Sequence, residues 1–487
     1  MTTTASLFDI FIIGGGINGA GIARDAAGRG LRVGLCERAD FAQATSSASS
    51  KLIHGGLRYL EQYEFKLVAE ALAERERLLK IAPHIAWPLR FVLPHEPHLR
   101  PAWMIRMGLF LYDNLHRAFG VRRTLPGSNS VSVGAPLKPQ FVRGFEYSDA
   151  WVDDARLVIL NMMDAHQRGA SIFARTEYVS AEQQAGVWII TLKDAEKTFS
   201  IRSKTVVNAA GPWVAQVAEA NTLGAQAKVQ LVKGSHIIVP KISAGDKAYI
   251  LQQADARIVF MIPYEQHFTL IGTTDVRVQA AELSHAMTPS AEEVAYLLAA
   301  ANGYLTTQLT EKEIVHSYAG VRPLFDDGSA NASQTTRDYT LVENQGWLNV
   351  FGGKLTTYRY LAQAALDKLS KALPRMGEPW TDTKPLPGGD FDSFETFYEQ
   401  LAAEYPQLPT DWLRSAAHRH GTNIRQWLGK AQTMDDLGAD LGGGLTDAEA
   451  AYLREFEWAF TLDDMLWRRT KCGLHLKWAQ INARFGI

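Results

Sequence analysis

The segment Gly14-Gly15-Gly16-Ile17-Asn18-Gly19 constrains this chain more than any other. It follows the apolar run 8–13 and opens a stretch of small residues (Ala20, Gly21, Ala23, Ala26, Ala27) that Gly28 and Gly30 close. An acidic residue, Glu37, ends the next apolar run. Strand, glycine turn, helix, strand and carboxylate form the context in which G-x-G-x-x-G binds a dinucleotide. Gly14 permits the tight turn, Gly16 lets backbone N–H groups approach a pyrophosphate, and Gly19 lets the helix pack close to the strand. The helix N-terminus, with its partial positive charge and free donors around Asn18, faces the phosphates. Glu37 lies 23 positions after Gly14, close to the roughly 20 expected of a carboxylate that holds ribose hydroxyls.

At 487 residues the chain exceeds one hydrophobic core, so two or three domains are expected. With 46% hydrophobic and 21% charged residues it is not a disordered chain, and a net charge of −2 gives no electrostatic reason to expect nucleic acid. Cys36 and Cys472 are too few for a disulfide framework, an iron–sulfur site or a structural zinc site, so no metal is expected and a reducing compartment fits. The N-terminus lacks the basic region and cleavage site of a signal peptide. No run of 18 apolar residues offers a membrane span.

Residues 7 to about 38 read as a βαβ unit, with helices over 64–82 and 155–168. Strand-like stretches cover 170–180, 187–193 and 205–210, the last running into Gly211-Pro212. Strands at 229–239, 249–263 and 268–272 suit a mostly antiparallel sheet. A buried strand at 347–351 precedes Gly352-Gly353 and a helix from about 357 to 373. After the punctuation at 385–389 the chain reads as helical. Glycine-bearing strand ends at 14, 211 and 352 are explained most economically by one doubly wound α/β nucleotide domain, assembled from separated segments and interrupted by a second domain.

The loop 44–51, with Thr45, Ser46, Ser50 and Lys51, offers hydroxyls, backbone N–H groups and a cation to a pyrophosphate or flavin edge. Residues 52–60 then mix Leu52 and a glycine pair with His54, Arg58 and Tyr59, which are costly to bury without partners.

The motifs GGGINGAG with Glu37, ATSSASSKLIHGGLRYLE, GFEYSDAWVDDARL, NAAGPW, KGSHIIVP, IGTTD, GVRPL and FGGKLTTYR together resemble the FAD-dependent glycerol-3-phosphate dehydrogenases, most of all the aerobic, respiratory bacterial type. The resemblance spans residues 7 to about 475. It implies an FAD-binding domain of the glutathione-reductase/D-amino-acid-oxidase type (1–80, 145–215 and 320–375), a substrate-binding domain with a mostly antiparallel sheet (81–144 and 216–319) and a C-terminal helical cap (388–487). It further implies non-covalent FAD, oxidation of sn-glycerol 3-phosphate to dihydroxyacetone phosphate, and electrons passed to a membrane quinone. The expected location is cytoplasmic and peripheral on the inner face of the membrane, with a possible homodimer.

Hydride transfer from a secondary alcohol needs a flavin above the C–H, a base for the O–H proton and a phosphate clamp. Arginine suits the clamp because its planar fork meets phosphate oxygens bidentately. On the resemblance, Arg322 and Arg58 match substrate arginines, and Arg337 is a third. His236 in KGSH is the candidate base, because an imidazole titrates near working pH, with His54 in the flavin loop its rival. Lys354 is placed to hold the anion or the reduced flavin's charge, and Tyr59, Thr274 and Asp275 to line the substrate side. Gly14, Gly16, Asn18, Gly19, Glu37, Thr45, Ser46, Ser50, Lys51, Leu52, His54, Gly211, Gly353, Lys354, Leu355 and Thr356 are expected at the cofactor.

Residues 98–123 carry Arg100, Arg106, Arg117, Arg122 and Arg123 against the single acid Asp113, with Trp103, Met104, Met107, Leu109, Phe110 and Leu111. A basic amphipathic helix of this kind lies in the headgroup region of anionic lipid or folds onto its own domain. The run Arg468-Arg469-Thr470-Lys471 is a second basic candidate for the same surface. Two other functions compete: an oxidase passing electrons to oxygen, and a flavin-free binding module.

Overall fold

The computed structural model describes residues 7–96, 101–219, 229–255, 257–325 and 339–476. Two sheets dominate it. In the first, Leu7–Ile13 lies parallel to both Val33–Cys36 and Thr198–Asn208, and Thr198–Asn208 lies parallel to Trp347–Phe351. Ser171–Phe173 extends one edge, and Thr340–Asn344 pairs antiparallel at the other. The hairpin Glu177–Gln184/Val187–Lys193 attaches antiparallel to Thr198–Asn208. The central strands are buried on both faces, by helices on one and mainly by the hairpin Glu177–Gln184/Val187–Lys193 on the other, which is why they read as continuous apolar runs.

The helix Ile17–Gly28 packs against Asp154–Gln167 and Tyr358–Leu369. Its small residues serve that contact: a Cβ on Gly21 would lie 2.6 Å from the Tyr358 ring. The strand–turn–helix units beginning at 7, 198 and 347 thus converge in one doubly wound layer, the α/β class expected.

The second sheet runs Val276–Val278, Val229–Pro240, Phe268–Gly272, Ile258–Tyr264, Ala248–Gln252, Ala86–Pro94, Arg143–Val152, Leu52–Ile53, with His316–Phe325 pairing along Val229–Pro240. It is antiparallel except where Ala248–Gln252 meets Ala86–Pro94. Its membership differs from the expected boundaries at 145 and 320: Arg143–Val152 and His316–Phe325 both belong here. Each runs straight toward an element of the other layer, and nothing in its own period says which sheet it joins.

The C-terminal part holds helices Phe394–Glu404, Thr410–His420, Ile424–Leu428 and Asp447–Glu457 and a small hairpin, Asp440–Gly442 with Leu445–Thr446. Its apolar residues continue the core of the first sheet. Buried ion pairs cross the junction: Arg156 with Glu457, Arg469 with Asp40 (2.8 Å) and Lys471 with Asp153 (3.0 Å). The run 468–471 is therefore not a basic surface; Arg468 too is buried against Asp40 and Asp464.

Candidate active site

The glycine turn closes as its sequence requires. Gly14 adopts φ +111°, and a Cβ on Gly19 would lie 2.0 Å from the Gly14 carbonyl oxygen, so only glycine lets the helix start this close to the strand. The Ser46 hydroxyl accepts a hydrogen bond from Ile17 N–H (3.0 Å), setting the serine loop over the helix N-terminus. Glu37 accepts from the N–H groups of Gly15 (2.7 Å) and Ala39 (2.8 Å). Burial raises its carboxyl above the ordinary range, with those two bonds and Arg38 pulling the other way. Asn18 donates to the Gly352 carbonyl (3.1 Å), tying the first glycine turn to the third, and its Oδ1 is buried without a partner among the described residues. A groove runs along Gly14, Gly16, Glu37, Ser46, Gly211 and Trp213. A helix N-terminus at a glycine turn, a ribose-spaced carboxylate and an orphaned amide oxygen fit a dinucleotide cofactor. Trp213, flanked by Arg38 (4.4 Å) and His285 (4.6 Å), walls the groove and was not singled out from sequence.

The loop from 45 to 51 is anchored from below by a residue that sequence reasoning also missed. Asp154, fully buried at the start of its helix, accepts from Lys51 Nζ (2.8 Å), Ser49 Oγ (2.7 Å) and Ser49 N–H (3.2 Å). The Lys51 ammonium, expected at a pyrophosphate, is thus inside the protein, where it holds the loop through Asp154 and the Ser47 carbonyl. Thr45 bonds to the Val321 carbonyl (2.7 Å), and Leu52 is buried in the second sheet opposite Trp151. Asp149 plays a parallel part under the HGG turn. It accepts from Tyr112 OH (2.8 Å), which itself accepts from Gly55 N–H (2.8 Å). Both acids stood in the DAWVDD motif, which was the available signal.

Three strands of the second sheet bring the reactive groups together. His236 is in register with Gly272 on one side and Tyr318 on the other, and Val232 with Arg322. Arg322 donates to Asp275 (2.7 Å) and reaches Thr273 Oγ1 (3.4 Å). His236 is 1% exposed, stacks on Tyr318 (4.9 Å between centroids) and shares a hydrogen bond with Ser50 Oγ (2.9 Å). Burial holds its imidazole well below the usual histidine range, and Arg322 and Lys51 add to the effect.

Thr274, expected at the substrate, is instead buried. It donates to Glu293 (2.8 Å) and accepts from Ser235 N–H (3.0 Å). Glu293 also accepts from Ser235 Oγ (2.8 Å) and pairs with Lys233 (2.7 Å), so one carboxylate ties His236's own strand to the turn after Phe268–Gly272.

Lys354 follows the Gly352-Gly353 turn and lies 4.2 Å from the Tyr59 ring centre, so these two expected residues meet. His54 donates its backbone N–H to buried Thr356 (3.4 Å), while Leu355 packs into the core. The His54 ring faces Phe260 and walls, with Tyr59, Thr273 and Asp275, a cavity of about 550 Å³. From there the cavity runs through apolar residues to Met104, Met107 and Leu111 on the helix Ala102–Asn114. That helix turns its apolar side outward, with Trp103 64% and Phe110 65% exposed. The Arg58 side chain, Arg337 and Arg100 lie outside the described residues. Among the described residues no helix is long and apolar enough to cross a membrane.

Residues 9–359 match the FAD-dependent oxidoreductase family model, and residues 379–482 match the C-terminal domain of alpha-glycerophosphate oxidase. A glycerol-3-phosphate dehydrogenase of Pseudomonas aeruginosa is 52% identical over 98% of this chain and 94% of its own length. A D-erythritol 1-phosphate dehydrogenase of Brucella abortus is 48% identical over 97% of this chain and 96% of its own. Among solved structures, the glycerol-3-phosphate dehydrogenase of Bacillus halodurans complexed with FAD superposes with a TM-score of 0.75 at 27% identity, covering 99% of this chain and 89% of that one. The chain belongs to the FAD-dependent glycerol-3-phosphate dehydrogenase family.

Proposed function

We propose that this enzyme oxidises sn-glycerol 3-phosphate to dihydroxyacetone phosphate and passes the electrons to a membrane quinone. The observation that carries the reading is the convergence of Arg322, His236 and the Thr273–Asp275 turn beside the flavin loop. FAD, when bound, supplies the hydride acceptor. The chain supplies the rest. The Arg322 fork takes phosphate oxygens, and Arg58 and Arg337 are assigned to the same anion by motif alone. His236, neutral at working pH because it is buried beside cations, is the proton acceptor. Lys354 brings positive charge next to Tyr59 on the flavin side. Glu37, Asn18, Ser46 and the turns at Gly14, Gly211 and Gly353 hold the cofactor.

The apolar cavity supports the quinone reading. It joins the His54–Tyr59 wall to an outward-facing apolar helix, a shape that suits an amphipathic ring carrying an isoprenoid tail. Trp103, Met107 and Phe110, with Arg117 and Arg122 exposed nearby, suit a peripheral seat on anionic lipid.

The test is anaerobic bleaching of the bound flavin by sn-glycerol 3-phosphate, then reoxidation by quinone or by oxygen. Fast bleaching followed by fast quinone reoxidation is expected. Faster bleaching by D-erythritol 1-phosphate would overturn the three-carbon assignment. Rapid peroxide formation without quinone would favour an oxidase, and a colourless purified protein would exclude flavin chemistry altogether.

A further inference from the structure

His236 is enclosed. Tyr318 stacks on its ring at 4.9 Å and 23°, and Gly272 passes so close on the neighbouring strand that a Cβ there would lie 2.1 Å from its Cδ2. Nδ1 is buried without a hydrogen-bond partner among the described residues. Nε2 faces Ser50 Oγ at 2.9 Å. The cavity that reaches Thr273 and Asp275 is not walled by His236. Ser50 does not wall it either, but it is half-buried rather than enclosed, in the loop that also carries Thr45 and Ser46.

The hydroxyl is held in place from both sides. Before it, Ser49 is fixed to Asp154 through N–H and Oγ, and its carbonyl accepts from Tyr318 OH (2.8 Å). After it, Lys51 donates its N–H to Ser49 Oγ (2.9 Å) and its ammonium to Asp154 (2.8 Å). Tyr318 therefore sets both ends of the contact, supporting the His236 ring with its face and the serine loop with its hydroxyl.

We propose that Ser50 is the group that meets the substrate hydroxyl and relays its proton to His236. The inference rests on the base assigned to His236 above. In the step, the carbinol O–H bond breaks and its proton forms a new bond to Ser50 Oγ. The proton that Ser50 carried bonds to His236 Nε2. The carbinol hydrogen leaves with its electron pair to FAD, and the C–O bond becomes C=O. Serine ends unchanged and histidine ends protonated. The proton returns to water through the same hydroxyl once product has left. The relay uses the tautomer with hydrogen on Nδ1, which leaves the Nε2 lone pair toward the serine. Burial beside Arg322 and Lys51 keeps the ring unprotonated before the step.

The test is stopped-flow anaerobic flavin reduction in FAD-loaded Ser50→Ala, Ser50→Thr and His236→Asn, with rates measured across H₂O/D₂O mixtures. Ser50→Ala should slow reduction by about 10²–10⁴-fold, as His236→Asn does, and the double variant should be no slower than either. Ser50→Thr, which keeps the hydroxyl, should stay within about tenfold of the parent. The parent's dependence on deuterium fraction should curve, because two protons move together, and become linear in Ser50→Ala. A fast Ser50→Ala with a slow His236→Asn overturns the relay and leaves the base assignment standing. If both variants are fast, the base assignment falls as well. A linear dependence in the parent overturns the relay whatever the rates. If Ser50→Ala loses FAD, Ser50→Thr decides: normal FAD with fast, curved kinetics supports the relay, and slow or linear kinetics overturns it.

Discussion

Arg322 Nη1 lies 2.7 Å from Asp275 Oδ1, a contact that joins the strand His316–Phe325 to the turn after Phe268–Gly272. The carboxylate orients the guanidinium that is proposed to hold the substrate phosphate. Arg322→Ala should remove a charge-assisted pair of about 1.5–3 kcal/mol, about 10- to 150-fold in kcat/KM. Arg322→Lys should recover only part, because an ammonium keeps the charge and loses the fork. Flavin content should be normal in both. Wild-type kcat/KM in Arg322→Ala would take the arginine out of the site.

Lys51 and Asp154 make a buried pair, so removing one partner leaves a charge without compensation. Asp154→Asn should cost about 3–5 kcal/mol and lower FAD content, because the serine loop loses its anchor. Adding Lys51→Met to Asp154→Asn should recover stability, since the stranded ammonium goes too. Thermal melts of the two single variants and the double variant give the coupling, and purely additive losses would contradict the pairing.

The seam between the first sheet and the C-terminal helices should be acid-labile. His418 stacks on Phe394 (3.7 Å) and bonds to the His84 carbonyl (2.8 Å), and burial holds it down at about 4. His84 beside it is fully buried and also held well below the usual range. Unfolded histidine binds protons below about 6.5, whereas folded His418 does not until about 4. The unfolded chain thus gains protons first as pH falls. Stability is full above 6.5 and is lost on going down toward 4, by about 2 kcal/mol at pH 5 from His418 alone. The melting temperature should fall from pH 7 to 5 in the parent and less steeply in His418→Asn; equal slopes would discount this residue.

The outward helix makes a prediction about lipid. The parent should co-sediment with anionic vesicles, and more weakly at high salt, because the basic contribution is screened. Trp103→Ser with Phe110→Ser should weaken sedimentation and quinone-linked turnover while leaving flavin reduction by substrate intact. Neutralising Arg106, Arg117 and Arg122 should act in the same direction, at about 1 kcal/mol per charge near the surface. Arg123 should matter less, because Asp113 already pairs with it (3.2 Å). Unchanged sedimentation in these variants would move the contact to another face.

FAD should be released by acid denaturation, leaving a colourless pellet and a yellow supernatant. A yellow pellet would mean a covalent link.

What could be read from sequence was what the backbone demands locally. Gly14 must be glycine at φ +111°, and the Leu7–Ile13 strand and the helix after it announce themselves by composition. Pairings across long separations were not legible. Arg468 and Lys471 look like a basic patch in sequence, yet their partners, Asp40 and Asp153, lie 428 and 318 positions away. The Lys51–Asp154 anchor spans 103 positions and the His236–Ser50 contact 186. Thr274 sits in a motif beside Asp275, but the turn between Gly272 and Val276 sends it into the protein toward Glu293 while Asp275 faces Arg322. Sheet membership of Arg143–Val152 was hidden for the same reason, because a strand buried along nearly its whole length reads the same whichever sheet it joins.

The order of strands in the first sheet also sets a schedule for synthesis. Leu7–Ile13 leaves the ribosome first, but its neighbour Thr198–Asn208 follows much later, and the glycine turn that Asn18 grips comes after Trp347–Phe351. At about 5–20 residues per second, the first strand waits roughly 20–70 s for the last piece of the cofactor's cradle. Nascent chains stalled before residue 351 should not retain FAD, and the apolar edge of Leu7–Ile13 is the surface a holdase chaperone would cover in the interval.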